Sequence, residues 1–143
     1  MTRAELREEL KKYKSASQRY YRSKRELEEL ETWLESVSID YTKAKVKSSP
    51  EPDNLAESID KLNRLHKQVL EEGNDAIEQM FYVMDLIDHA EDGCQRDVLF
   101  MRYIELKYWE VIAWENHYSL ARVHQIERKG LDAIIQRLHT ITH

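Results

Sequence analysis

The chain of 143 residues is long enough for one compact domain, or for two small units joined by long helices. A charged fraction of 34% with only three Gly and two Pro leaves few helix breakers and favours an all-α fold. No apolar run approaches the ~20 residues of a membrane span, and the single cysteine, Cys94, excludes an internal disulfide, so we expect a cytoplasmic protein without redox chemistry or membrane contact.

The net charge of -5 is distributed unevenly along the chain. Residues 1–49 hold 12 Lys/Arg and 9 Asp/Glu, residues 50–95 hold 3 and 12, and residues 96–143 hold 7 and 6. The acidic excess is therefore confined to the middle segment. Because nucleic-acid binding needs positive charge only on the face that meets phosphate, the overall charge does not exclude such binding.

The first predicted element is one long helix over about residues 2–45, because apolar residues recur there every seven positions. These residues are Leu6, Tyr13, Tyr20, Leu27, Leu34 and Tyr41. Such a repeat is typical of a coiled-coil seam. The stretch "VKSSPEPDN", residues 46–54, then forms the predicted linker, since each Pro disfavours helix in the residue before it.

Residues 11–25 of this helix, "KKYKSASQRYYRSKR", hold seven Lys/Arg, three Tyr and no acidic residue. Basic residues interleaved with aromatics can neutralise phosphates, so the stretch is a candidate nucleic-acid surface. The simpler interpretation is that Tyr13 and Tyr20 belong to the seam and that the basic residues pair with the acidic second helix. We favour the second interpretation, and the sequence leaves both open.

The second predicted helix covers about residues 53–92, and both of its heptad positions are filled. One series is Leu55, Leu62, Val69, Ala76, Val83 and Ala90, and the other is Ile59, His66, Gly73, Met80 and Ile87. We interpret His66 as structural. The two long helices are expected to pair as an antiparallel hairpin or to join the helices of a partner, and Gly93 is expected to cap the second one in a left-handed conformation.

The end of this helix, "DLIDHAEDGC", holds several potential metal ligands, and Asp85 and His89 share a helix face at i, i+4. No second dense group of ligands accompanies them, so we expect no metal site. The chain also lacks a phosphate-binding glycine loop and a nucleophile elbow, which indicates a protein that is not an enzyme and needs no cofactor.

Shorter helices follow in residues 94–143, and their apolar residues have the spacing of a helix-turn-helix. "KYWEVIAWE" is the first helix, burying Trp109, Ile112 and Ala113, and "NHY" is the turn. His117 stands where Gly is usual, which is acceptable because His tolerates positive φ, whereas Asn116 stands where an apolar residue is more usual. Ser119 is the predicted N-cap of the next helix, whose buried stripe is Val123, Ile126, Gly130, Leu131, Ile134 and Leu138.

The run "YWEVIAWENHYSLARVHQIERKGLDAIIQRL" resembles region four of bacterial primary sigma factors, most closely from Arg122 to Glu127. Together with the long amino-terminal helices, it is similar to small phage and prophage transcriptional regulators of the ArpU-like group. The resemblance implies a recognition helix over residues 119–129 with a set of DNA-binding residues. These are Ser119, Leu120, Ala121, Arg122, His124, Gln125, Arg128 and Lys129.

The residue types suit different contacts with double-stranded DNA. Gln125 can pair with adenine, and Arg122 can contact guanine or phosphate. Arg128 and Lys129 suit the backbone, and Ser119 can hold a phosphate at the helix amino terminus. Leu120 and Ala121 replace the base-reading Arg and Glu of the sigma motif, which implies a different target sequence. The alternative is that these residues contact no DNA and form only the solvated face of an amphipathic helix.

The expected architecture is thus all-α, with a long antiparallel hairpin in residues 1–93 and a helix-turn-helix domain in residues 94–143. We expect a phage- or prophage-encoded transcriptional regulator in the bacterial cytoplasm that binds double-stranded DNA. It would act as a homo-oligomer, a dimer being favoured, or with RNA polymerase. Two alternatives remain: a DNA-packaging component similar to small terminase subunits, and a helical adaptor that binds no DNA.

Overall fold

A computed structural model describes residues 1–43 and 52–142, and this part of the chain is all-α, with helices joined by turns and no strand, as the sequence predicts. The helices are α1 (Arg3–Leu10), α2 (Lys12–Lys43), α3 (Pro52–Ile87), α4 (Gly93–Tyr103), α5 (Trp109–Glu115) and α6 (Leu120–Thr142). None of them combines the length and the apolar character needed to cross a membrane. Most of the predicted linker, residues 46–51, lies outside the described residues, and Pro52 already belongs to α3.

The first predicted helix is interrupted at Lys11, so the prediction of one continuous helix is wrong at this position. Thr2 caps α1 through a capping box with Glu5, and α1 ends at Leu10. Lys11 has φ -79° and ψ -4°, while helical hydrogen bonds from Lys11 N to Arg7 O and from Ser15 N to Lys11 O flank it. The interruption is therefore confined to one residue, and periodicity alone could not reveal it.

The second helix ends at Ile87, five residues before the predicted end, and the predicted left-handed cap at Gly93 is wrong. Ala90 is buried and its N–H donates to Ile87 O at 2.9 Å, which closes a short turn. Asp92 then accepts a hydrogen bond from Gln95 N at 2.8 Å as the N-cap of α4. Gly93 does not have positive φ, because it is the first residue of α4 rather than the end of α3.

The described chain forms two compact units, one of residues 1–16 with 76–143 and the other of residues 17–75. The second unit is an antiparallel pairing of α2 with α3 inside one chain. Its inter-helix contacts join Arg19 to Asp75 (3.4 Å), Ser23 to Gln68 (3.1 Å) and Glu31 to His66 (3.8 Å). Residue numbers fall on one helix as they rise on the other, so the two helices are antiparallel. The sequence left open whether they pair with each other or with a partner, and here they pair within one chain.

In the 17–75 unit the predicted seam residue Leu27 is buried, and so is Leu65, which belongs to neither predicted heptad series. Gly73 allows α3 to approach the Tyr20 ring of α2 closely, because a Cβ at this position would lie 3.1 Å from Cε1 of Tyr20. His66 faces Glu31 with half of its side chain exposed. It therefore sits at the edge of the seam.

The unit of residues 1–16 and 76–143 contains a core that joins distant parts of the chain. Its buried residues are Leu6, Leu10, Val83, Leu86, Ile87, Ala90, Leu99, Tyr103, Leu131 and Ile134. Leu6 and Leu10, expected only in the coiled-coil seam, thus pack in the same core as residues of α6. The predicted domain division between residues 93 and 94 stays a prediction, and this compact unit includes residues from both sides of it.

Candidate nucleic-acid interface

Helices α5 and α6 are joined by a tight turn and share an apolar cluster with α4. The cluster consists of Val98, Ile112, Ala113, Val123 and Ile126. His117 has φ 59°, as its position in the turn predicts, and Tyr118 N donates to Ala113 O at 2.9 Å. Ala113 is buried in this cluster, as predicted.

Asn116, the departure from the usual apolar pattern, has its polar side chain satisfied locally. Its Nδ2 donates to Ile112 O at 2.7 Å and lies 3.3 Å from Met101 Sδ. Because the amide bonds to the end of α5, a polar residue is accommodated where an apolar one is more common.

Ser119 is the N-cap of α6, as predicted, since its Oγ accepts a hydrogen bond from Arg122 N at 3.1 Å. The predicted buried stripe is also present. Its buried members are Val123, Ile126, Gly130, Leu131 and Ile134, while Leu138 is only partly buried.

The candidate reading residues lie on the outer side of the first turns of α6. Seven of the eight are exposed: Ser119, Leu120, Ala121, Arg122, Gln125, Arg128 and Lys129. Arg122 Nη1 donates to Gln125 Oε1 at 2.9 Å, so the two residues best suited to base contacts lie side by side. An amphipathic helix with this outer face can present hydrogen-bonding groups to base edges and charge to phosphates.

His124, the eighth candidate, is half-buried and takes part in a stack that the sequence did not reveal. Its ring lies 5.0 Å from that of Trp109 between centroids, and the guanidinium of Arg102 lies 4.6 Å from the Trp109 ring. Cation–π and ring contacts of this kind fix the orientation of the side chains. His124 therefore marks the edge of the outer face, next to α5.

Glu127 is a buried acid on the inner side of the same helix, with only 4% of its side chain exposed. Arg7 donates to it through Nε (3.1 Å) and Nη2 (2.8 Å), and Tyr103 donates through its hydroxyl at 2.9 Å. The hydrogen bond to Glu127 raises the pKa of Arg7. Burial, followed by the charge of Glu127, raises the pKa of Tyr103. Helix α6 is thus fixed to α1 and α4 by a charged network.

A second pair ties α6 to α1 at the surface. Arg3 donates to both carboxylate oxygens of Asp132, at 2.8 and 2.7 Å. This hydrogen bonding lowers the pKa of Asp132. Two bidentate arginine contacts therefore connect α1 with α6.

The basic stretch of residues 11–25 has several kinds of partner. Arg19 pairs with Asp75 on α3, and Lys12 lies 5.3 Å from the ring centre of Tyr82. Lys11 and Lys12 also pair with acids of α1, Glu8 and Glu9. Pairing with the acidic second helix, the interpretation favoured from the sequence, therefore accounts for part of this stretch.

The structure gives no support for a metal centre in its described residues, where no group of three or more His, Cys, Asp or Glu side chains is placed to hold an ion. Asp92, one of the potential ligands, serves as the N-cap of α4. Cys94 Sγ lies 3.3 Å from the Tyr118 hydroxyl.

Comparison of the chain with protein-family models, curated proteins and solved structures gives no match.

Proposed function

We propose that this chain is a sequence-specific regulator of transcription that binds double-stranded DNA through α6. The observation that carries the proposal is the arrangement of α5 and α6. Their inner sides pack in an apolar cluster, while Arg122 and Gln125 lie adjacent and exposed on the outer side. A recognition helix needs this combination of a fixed inner side and a polar outer side.

Each outer residue has a contact that suits its chemistry. Gln125 pairs with adenine, and Arg122 with guanine or a phosphate. Arg128 and Lys129, one turn further along, neutralise the backbone. The exposed Leu120 and Ala121 contact thymine methyl groups, which gives a target different from that of sigma factors.

One recognition helix reads only a few base pairs, so useful specificity requires a second half-site or a second protein. The proposal therefore includes a homodimer, or contact with RNA polymerase. The resemblance to ArpU-like regulators supports a phage or prophage role in a bacterial host.

The test begins by selecting duplexes from a random pool with the full chain, followed by nuclease footprinting on the selected sequence. The double variant Arg122→Ala/Gln125→Ala should lose specific protection and at least roughly tenfold in specific affinity, since each bidentate base contact contributes about 1–3 kcal/mol. Its helicity, measured by circular dichroism, should match that of the wild type.

The matched control is Gln136→Ala/Arg137→Ala, an equivalent change at exposed positions further along α6. It should leave the footprint unchanged. Specific protection that survives the first variant would show that the reading face is assigned wrongly. A wild-type chain that selects no sequence and binds no DNA at low salt would instead indicate a helical adaptor. A large ring by solution mass would indicate a packaging component.

A further inference from the structure

A small pocket lies beside the helix-turn-helix and is lined by three cationic side chains. Lys11 and Lys14 come from the junction of α1 and α2, Arg102 comes from the last turn of α4, and Tyr103 and Leu106 complete the lining. Its volume is about 30 Å³. That is enough for one or two water-sized groups, such as the two non-bridging oxygens of a backbone phosphate.

Local structure fixes the position of the arginine. Arg102 Nη1 donates to Lys107 O at 3.0 Å, and its guanidinium stacks on Trp109. Leu106, with φ 60°, turns the chain between Arg102 and these two partners. A non-glycine residue in this conformation is strained and persists only where its surroundings hold it. Arg102 is therefore held in place before any ligand arrives.

The polar groups around the pocket favour an anion. The Tyr103 hydroxyl is already bonded to Glu127. Lys11 pairs with Glu8 at 3.5 Å, and that carboxylate is 74% exposed. The lining of the pocket holds three basic residues and no acidic one. Their positive charge favours an oxyanion in this space.

The pocket is connected to the reading face by direct contacts. Arg102 stacks on Trp109, and Trp109 contacts His124 on α6. A DNA duplex seated on the outer face of α6 carries its phosphate backbone past the edge that His124 marks. The backbone beside the bases that are read is therefore the nearest source of phosphate.

We propose that the pocket of Lys11, Lys14 and Arg102 binds a backbone phosphate of the DNA that flanks the segment read by α6. This inference rests on the proposed function. It adds a contact that carries no base information but extends the site and fixes the register of the protein on the duplex. It also gives part of the basic stretch a nucleic-acid role.

The test compares the full-length wild type with Lys11→Gln/Lys14→Gln on the duplex that the wild type selects. Affinity is measured by fluorescence anisotropy over a range of salt concentrations. The slope of log affinity against log salt should become shallower by about 0.9 for the lost phosphate, with relative preferences among duplexes unchanged. Ethylation interference should lose one phosphate outside the base-read segment.

The matched control is Lys61→Gln/Lys67→Gln, which removes the same charge at exposed positions of α3 and should leave the slope unchanged. If the double variant loses helicity, the single variant Lys14→Gln is measured in its place. A slope equal to that of the control overturns the pocket assignment while leaving the proposed function intact. Inorganic phosphate is also titrated into the protein and followed by amide shifts in nuclear magnetic resonance. If it binds in the pocket while the salt slope of the double variant is unchanged, the pocket holds a free anion and not the DNA backbone, which also overturns the proposal. A wild type that binds no duplex at all overturns both proposals.

Discussion

Two arginines of α1 hold acidic residues of α6 in different surroundings. The carboxylate of Glu127 is almost fully buried, whereas Arg3 and Asp132 each expose about half of their side chains, 45% and 53%. A surface pair contributes little because water screens it, while a buried carboxylate depends on its partners for hydrogen bonds. Arg7 is therefore the more important of the two for the position of α6.

The surface pair predicts a specific dependence of stability on pH. Hydrogen bonding to Arg3 lowers the pKa of Asp132, so the pair stabilises the fold above the ordinary aspartate pKa of about 4. This contribution is lost as the pH falls through the lowered pKa. We expect Asp132→Asn to lower the free energy of unfolding at pH 7 and to match the wild type in strong acid.

Urea unfolding followed by circular dichroism between pH 7 and pH 2 measures this effect. The control Asp60→Asn changes an exposed aspartate on α3 and should show no such convergence with pH. A deficit of Asp132→Asn that is as large at pH 2 as at pH 7 would contradict the electrostatic origin.

His117 and Glu127 show what sequence can predict for single residues. The tolerance of His for positive φ is a property of the residue itself, so the conformation of the turn could be predicted and is confirmed. Glu127 lies in the motif without a predicted contact, and an acid on an amphipathic helix usually faces solvent. Its partner Arg7 is 120 residues away, and no local pattern connects the two. The position of Glu127 next to the buried Ile126 was the available signal.

At the scale of elements, α4 and α6 cross closely at Gly130. A Cβ at this position would lie 3.0 Å from Leu99 Cδ1 and 3.3 Å from Gln95 Cβ. Both neighbours are buried, so neither has free space into which to move. The absence of a side chain at Gly130 therefore sets the distance between the two helices.

We expect Ala to have opposite effects on stability at Gly130, in this crossing, and at Gly93, outside it. Gly130→Ala gains about 1 kcal/mol in helix propensity but overpacks the crossing, so we expect a net loss of about 1 kcal/mol in the free energy of unfolding. Gly93→Ala meets nothing within 4 Å in the first turn of α4 and should gain about 0.5 kcal/mol. Chemical unfolding of the two variants beside the wild type measures both. A stabilised Gly130→Ala protein would show that the crossing is loose.

Helix boundaries were predicted less well than helix faces. The faces of α2, α3 and α6 follow from periodicity, and Leu27, Val83 and Val123 are buried as expected. The interruption at Lys11 and the end of α3 at Ile87 were missed, because the apolar repeat continues through both points. Periodicity shows which side of a helix is covered, but it does not identify the neighbour that covers it.

At the scale of the whole molecule, one compact unit is assembled from two separate stretches of chain, residues 1–16 and 76–143. Leu6 and Leu10 are fully buried in its core. The all-α class and the antiparallel hairpin could be predicted, but the packing of α1 with α6 could not. Leu6 and Leu10 fit a coiled-coil repeat and this core equally well.

Deletion of residues 1–10 should therefore unfold the unit that contains the helix-turn-helix. The deletion removes two fully buried leucines, each worth about 2–5 kcal/mol, and leaves Glu127 without Arg7. Such a loss is comparable to the total stability of a small domain. We expect loss of near-ultraviolet dichroism from Trp109 and fast amide exchange in α4–α6.

Truncation after His139 is the control at the other end of α6. It removes the exposed Thr140, Ile141 and Thr142 and should leave both signals unchanged. Retention of protected amides in α4–α6 after deletion of residues 1–10 would show that the carboxyl-terminal helices fold by themselves.

The discontinuous core also orders events during synthesis. Residues 17–75 form a contiguous unit whose two helices pair through contacts within that stretch, whereas Leu6 and Leu10 leave the ribosome long before their partners in α6. Helix α1 must therefore wait for α6 before this core can close. A nascent chain that stops short of α6 lacks both a closed core and the face proposed to bind DNA.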